Sequence, residues 1–76
     1  VHILAIPKVC VKDFSCASAE LLGGLCAFSQ EVARMVGIDK SGYRICTNIG
    51  ADGGQEVLHL HFHILGGGKL SFSKLA

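Results

Sequence analysis

Apolar and polar positions alternate most regularly near the end of the chain. Over 57–65, Leu58, Leu60, Phe62 and Ile64 fall on one face of an extended segment, with Val57, His59, His61, His63 and Leu65 on the other. A strand over 57–65 follows, ended by glycines at 66–68 and trailed by a tail over 66–76. Residues 2–7 alternate more weakly and close on Pro7-Lys8, which predicts a strand with proline at its exit. Between them the period changes. Leu21, Leu25, Phe28, Val32 and Met35 recur at steps of four and three, predicting a helix over 17–36 with this stripe in the core. Ser18 is its expected N-cap, Glu20 lies in its first turn and Gly37 is its stop. Gly23-Gly24 within that helix costs about 1 kcal/mol each relative to alanine, which suggests close approach of another backbone, across a subunit interface for instance. Residues 39–42 read as a turn and 43–49 as a further strand, with Tyr43, Ile45, Thr47 and Ile49 on one face.

The order strand, helix, strand, strand predicts an α+β domain, an antiparallel sheet with one main helix packed on it. A glycine-rich loop of about seven residues joins the last two strands and suits an antiparallel hairpin with a functional tip. Three strands make a poor free-standing domain, so the sheet is expected to be completed by missing N-terminal strands, by a second subunit, or by both. The opening of the chain on Val1, directly in a strand-like run, agrees with a fragment.

Composition narrows the classes. In 76 residues, half are apolar and 17% charged, which excludes a disordered charged tail. A formal net charge of +1 provides no electrostatic footprint for nucleic acid or an anionic membrane. No apolar run reaches the roughly eighteen residues of a membrane span, and no secretory signal is present, so a soluble, cytoplasmic chain is expected. Cys10, Cys16, Cys26 and Cys46 contain no Cys-x-x-Cys pair. Cys26 and Cys46 lie in periodic apolar segments, and all four are read as reduced thiols. Lys69 and Lys74 are read as solvated.

Three of the four histidines fall at alternate positions, His59, His61 and His63, forming a column on one strand face. A structural histidine is usually single, so three in register point to a site. Two chemistries fit. His-x-His can clamp a metal, although residues four apart along a strand are about 13 Å apart. With Zn–N bonds of about 2 Å, His59 and His63 cannot share one ion, and a metal would need two of the three plus an outside ligand. The other chemistry is covalent catalysis: a neutral imidazole is a competent nucleophile when an acceptor holds its second nitrogen as N–H. The central His61, beside a glycine-rich loop rich in unobstructed N–H groups, suits phosphoryl or nucleotidyl transfer.

The run His59-Leu60-His61-Phe62-His63-Ile64-Leu65 resembles the His-φ-His-φ-His-φ-φ signature of the histidine triad family, where φ is apolar. Asn48-Ile49-Gly50-Ala51-Asp52-Gly53-Gly54-Gln55-Glu56-Val57 before it, and Leu65-Gly66-Gly67 after it, are similar to the Hint branch of nucleoside phosphoramidate hydrolases. His2-Ile3-Leu4-Ala5-Ile6-Pro7-Lys8 resembles that branch's strand before its central helix, so 1–76 would be a partial domain of this family. The resemblance implies a hydrolase of purine nucleoside phosphoramidates or acyl nucleotides, of AMP or GMP type. His61 would attack the α-phosphorus to form a nucleotidyl-histidine, His59 and His63 would contact the phosphate and orient His61, and His2 would support the triad. Asn48 with Gly54, Gln55 and Val57 would line the phosphate and leaving-group side, with Glu56 where many eukaryotic members have serine. Gly68 stands in place of a usual arginine. The resemblance further implies a homodimer with a continuous sheet, without metal or cofactor. The alternatives are an inactive nucleotide-binding or dimeric fragment, and a His-x-His metal-binding module.

Overall fold

Ser18 opens the helix as the sequence predicts. Its backbone is extended and its Oγ accepts the Leu21 N–H at 3.1 Å. One orphan donor of the first turn is thereby satisfied, a device worth about 1 kcal/mol. In the computed structural model, which describes residues 1–69, helix α1 runs Ala19–Met35. Glu20 in its first turn and Arg34 in its last both suit the helix dipole. Val36 caps it and Gly37, at φ 78°, turns the chain away.

Strands β1 (His2–Ala5), β2 (Tyr43–Cys46) and β3 (Phe62–Gly66) form one antiparallel sheet in the order β1-β3-β2. The architecture is therefore α+β, with the helix on one sheet face. Register fixes which residues share a face: Ile3 pairs Ile64 and Ala5 pairs Phe62 on the helix side, while Leu4 pairs His63 and His2 pairs Leu65 on the other. On the far edge Ile45 pairs Ile64, and Cys46 pairs His63.

All three strands are shorter than the predicted 2–7, 43–49 and 57–65, and each departure has a local cause. Ile6 and Pro7 leave the ladder, because Pro7 has no N–H to offer it. Thr47 and Asn48 turn their side chains to other partners, described below. Residues 57–61 do not pair as a strand. The Leu60 N–H instead donates 2.8 Å to the carbonyl of Val11, in the connector that follows β1. The connection between β2 and β3 consequently runs over 47–61 rather than the seven-residue tip expected.

The core comprises Ala5, Leu25, Ala33, Ile38, Leu60, Phe62 and Ile64, with Leu21, Leu22 and Val32 packed against it. This corrects the predicted helix stripe. Phe28 is 53% exposed and Met35 78%, whereas Ser29 and Ala33 are buried. Ala33 shares that core with Phe62 and Ile64. Burial of Ser29 is tolerated because its hydroxyl donates to the Leu25 carbonyl at 2.8 Å. Cys26 likewise lies exposed rather than within the core, and all four cysteines are free thiols. A Cβ at Gly23 or Gly24 would meet nothing within 4 Å, so no part of the described chain makes the close approach suggested for them. Lys69 is exposed; Lys74 and most of the predicted tail lie outside the described residues. No helix among the described residues is long and apolar enough to cross a membrane.

Candidate active site

His2, His61 and His63 converge at β3, while the ring of His59 turns to the Pro7 carbonyl. His2 stands in β1 opposite Leu65, and of the three clustered histidines only His63 stands in the ladder, flanked by Leu4 and Cys46 in register. His59 and His61 precede the strand, so the predicted column on one continuous strand becomes a bend leading into one. The His61 and His63 centroids are 5.0 Å apart, nearly edge to face, and His2 and His63 are 5.1 Å apart.

The hydrogen bonds of these rings fix where their protons sit. His61 Nδ1 lies 2.8 Å from the backbone oxygen of His59. A carbonyl only accepts, so Nδ1 carries the hydrogen and, in the neutral ring, Nε2 holds an unprotonated lone pair. By the same argument His59 carries its hydrogen on Nε2, which donates to the Pro7 carbonyl at 3.2 Å. His2 Nε2 and His63 Nδ1 lie 2.9 Å apart, so one of these two nitrogens must donate to the other. His63 is held below the usual histidine range, first by burial and then by the neighbouring His61 and His2 rings, whose charged forms would repel its own. These surroundings favour its neutral form.

The glycine-rich loop is stapled by side chains. Asn48 Nδ2 donates 2.8 Å to the Gly53 carbonyl. Gln55 reaches three ways: its Oε1 accepts the Gly50 N–H at 2.9 Å, and its Nε2 donates to the carbonyls of Lys12 and Val57. The loop's own amides are also used, since Gly54 N–H donates to Ala51 O and Gln55 N–H to Gly50 O. The Gly54 and Gln55 backbone donors expected to face phosphate thus close the loop instead. Gly53 packs so tightly that a Cβ there would collide with the Ile49 backbone oxygen. Glu56 and Val57 are exposed beyond the loop, on the approach to His59.

One contributor was not singled out from sequence. Thr47 Oγ1 donates to the His61 carbonyl at 2.7 Å. Its signal was the pair Thr47-Asn48 at a strand exit, where short polar side chains compete with the ladder for backbone groups. Among the described residues, no group of three or more His, Cys, Asp or Glu side chains is arranged to hold a metal ion.

A three-stranded antiparallel sheet with one helix behind it and imidazoles gathered at the head of its central strand is an α+β domain organised around histidine. The family model of the HIT domain matches residues 1–70, and the chain belongs to that family. It is 48% identical over 69 residues to a HIT-like protein of Helicobacter pylori, covering 91% of this chain and 66% of that protein. It is 41% identical over 69 residues to the purine nucleoside phosphoramidase of Escherichia coli K12, covering 87% of this chain and 58% of the enzyme. A crystal structure of a HIT family hydrolase from Legionella pneumophila superposes with a TM-score of 0.88 at 34% identity, covering 93% of this chain and 66% of that one. The chain thus spans somewhat under two thirds of the length of these relatives.

Proposed function

We propose that this chain carries the nucleophile of a nucleotidyl hydrolase that cleaves purine nucleoside phosphoramidates or acyl nucleotides. The observation that carries the reading is the bond from His61 Nδ1 to the His59 carbonyl, which leaves Nε2 of the neutral ring as a bare lone pair. Similarity to a purine nucleoside phosphoramidase supports the substrate class.

In the proposed reaction, His61 Nε2 attacks the α-phosphorus as the bond to the leaving group breaks, and a departing amine takes up a proton from solvent water. The nucleotidyl-imidazole so formed is cationic, because Nδ1 keeps its hydrogen, and the His59 carbonyl stabilises that charge. Water then attacks phosphorus, the Nε2–P bond breaks, and neutral imidazole leaves while the water's proton passes to solvent. A ring that ends neutral is a good leaving group, so one hydrogen bond serves both steps. His63, whose surroundings favour its neutral form, would donate a hydrogen bond to phosphate oxygen when its Nδ1 accepts from His2. His59 and Asn48 line the same side, and Glu56 and Val57 lie toward the leaving group. No cofactor has a role in this scheme. A second copy completing the sheet is part of the proposal, since the outer edges of β1 and β2 pair with no strand among the described residues.

The test is hydrolysis of adenosine 5′-phosphoramidate by the wild-type chain beside His61→Ala. Turnover lost in the variant by more than about a thousandfold supports the nucleophile assignment. Turnover surviving the substitution overturns it, and a folded wild type that binds AMP without turnover would make the chain a nucleotide-binding module.

A further inference from the structure

The backbone at His61 is held by neither neighbouring strand. The last pair of the β1 ladder is Ala5 with Phe62, and the last of the β2 ladder is Cys46 with His63. Beyond those pairs, the His59 ring donates to Pro7 O, and three bonds hold the backbone groups of residues 59–61. The Leu60 N–H donates to Val11 O at 2.8 Å, the His61 ring returns to His59 O at 2.8 Å, and the Thr47 hydroxyl donates to His61 O at 2.7 Å. Only the last comes from a side chain outside this segment.

We infer that Thr47 is a positioning residue for His61, its hydroxyl standing in for the ladder bond that β2 no longer supplies. The inference rests on the reading of His61 as nucleophile. The His61 carbonyl is tied to Thr47, and the His59–Leu60 peptide, whose carbonyl receives the ring, is tied through its N–H to Val11, so the backbone is restrained both after His61 and at the ring's acceptor. The ring can then reach the His59 carbonyl in one orientation, which holds Nδ1 as N–H and Nε2 bare. Without the hydroxyl, the half-buried carbonyl must find another donor. The peptide then turns, and the bond that fixes the tautomer loosens. Valine has nearly the shape of threonine and lacks the donor, whereas serine keeps the donor and loses a methyl.

The experiment compares wild type, Thr47→Val and Thr47→Ser in the full chain, by turnover of adenosine 5′-phosphoramidate and by 15N spectra of the imidazoles. Thr47→Val is expected to lower kcat about ten- to hundredfold with KM within about twofold, and Thr47→Ser to recover to within about threefold of wild type. The His61 nitrogens should show one tautomer in wild type and Thr47→Ser, and an averaged mixture in Thr47→Val. Equal losses in both variants, or a single His61 tautomer retained in Thr47→Val, would overturn the inference. A wild type without turnover defeats the nucleophile reading alone, and the tautomer comparison still decides the positioning role. Should Thr47→Val fail to fold, Thr47→Ala replaces it, with the same outcomes read the same way.

Discussion

His2 and His63 share a hydrogen bond of 2.9 Å between Nε2 and Nδ1, although they stand at opposite ends of the chain and are not partners in the strand register. His2 pairs with Leu65, and its ring leans along the sheet to reach His63. One side of His63 is thereby committed to another imidazole, and its surroundings favour the neutral form.

Stability is expected to depend on pH through this residue. The His63 pKa is lowered in the folded state from its ordinary value of 6.5, by burial first and by His61 and His2 next. Between that lowered value and 6.5, the unfolded chain binds more protons than the native one, so stability rises with pH across this window. The contribution is present above pH 6.5 and is lost as pH falls through the lowered pKa. Urea midpoints measured from pH 8 to pH 5 should fall on the acid side, and His63→Gln should flatten that fall. An equally steep fall in the variant would assign the dependence elsewhere.

His2→Ala is expected to reduce phosphoramidate turnover about five- to tenfold, the worth of roughly 1 kcal/mol for a lost hydrogen bond. The loss should appear in kcat, because His2 orients His63 and touches no reacting atom in the proposed scheme. Steady-state kinetics separates the two parameters, and a change confined to KM would count against an orienting role.

Gln55→Leu keeps much of the side-chain volume and removes three hydrogen bonds at once. The Gly50 N–H and the Lys12 and Val57 carbonyls lose their shared partner. A cost of about 1–2 kcal/mol is expected, below the sum of three bonds because two of them are solvent-exposed. Equilibrium denaturation measures the cost. Hydrogen exchange at Gly50 should accelerate more than at Ile64, in the core.

Gly66 leaves no room for a methyl group. A Cβ there would lie 2.8 Å from Ile38 Cδ1, 3.1 Å from Ile38 Cβ and 3.2 Å from Tyr43 Cβ. Gly66→Ala should destabilise by about 1–3 kcal/mol through overpacking. Ile38→Val removes the nearest of these atoms, so the double variant should be more stable than the sum of the single effects predicts. Strict additivity in thermal melts would show that the clash is not with Ile38.

The helix could be read from sequence because its signals are local: a hydroxyl at Ser18, a stop at Gly37, and a period that tertiary contacts did not alter. Which side of it is buried could not be read. That is decided by tertiary packing, which buries Ser29 and Ala33 and leaves the larger Phe28 and Met35 exposed. The histidines were conspicuous by spacing, yet alternation at 57–61 imitates a strand whether or not a partner is there to pair with it. The bond from Leu60 to Val11 decides otherwise, and it joins residues far apart in the chain. For Asn48 and Gln55, spacing could place the amides near the loop. It could not reveal that they would fasten the loop to itself and to Lys12, because an amide offers a donor and an acceptor to whatever lies within reach.

The acceptors that set the hydrogens of His59 and His61 are main-chain oxygens, those of Pro7 and His59. Mutation replaces side chains and leaves carbonyls in place. The protonation pattern of the proposed nucleophile is therefore inherited with the course of the backbone, which the Thr47 hydroxyl helps to hold. Side chains that do not hold that backbone can change with the substrate they meet while His61 continues to present the same nitrogen.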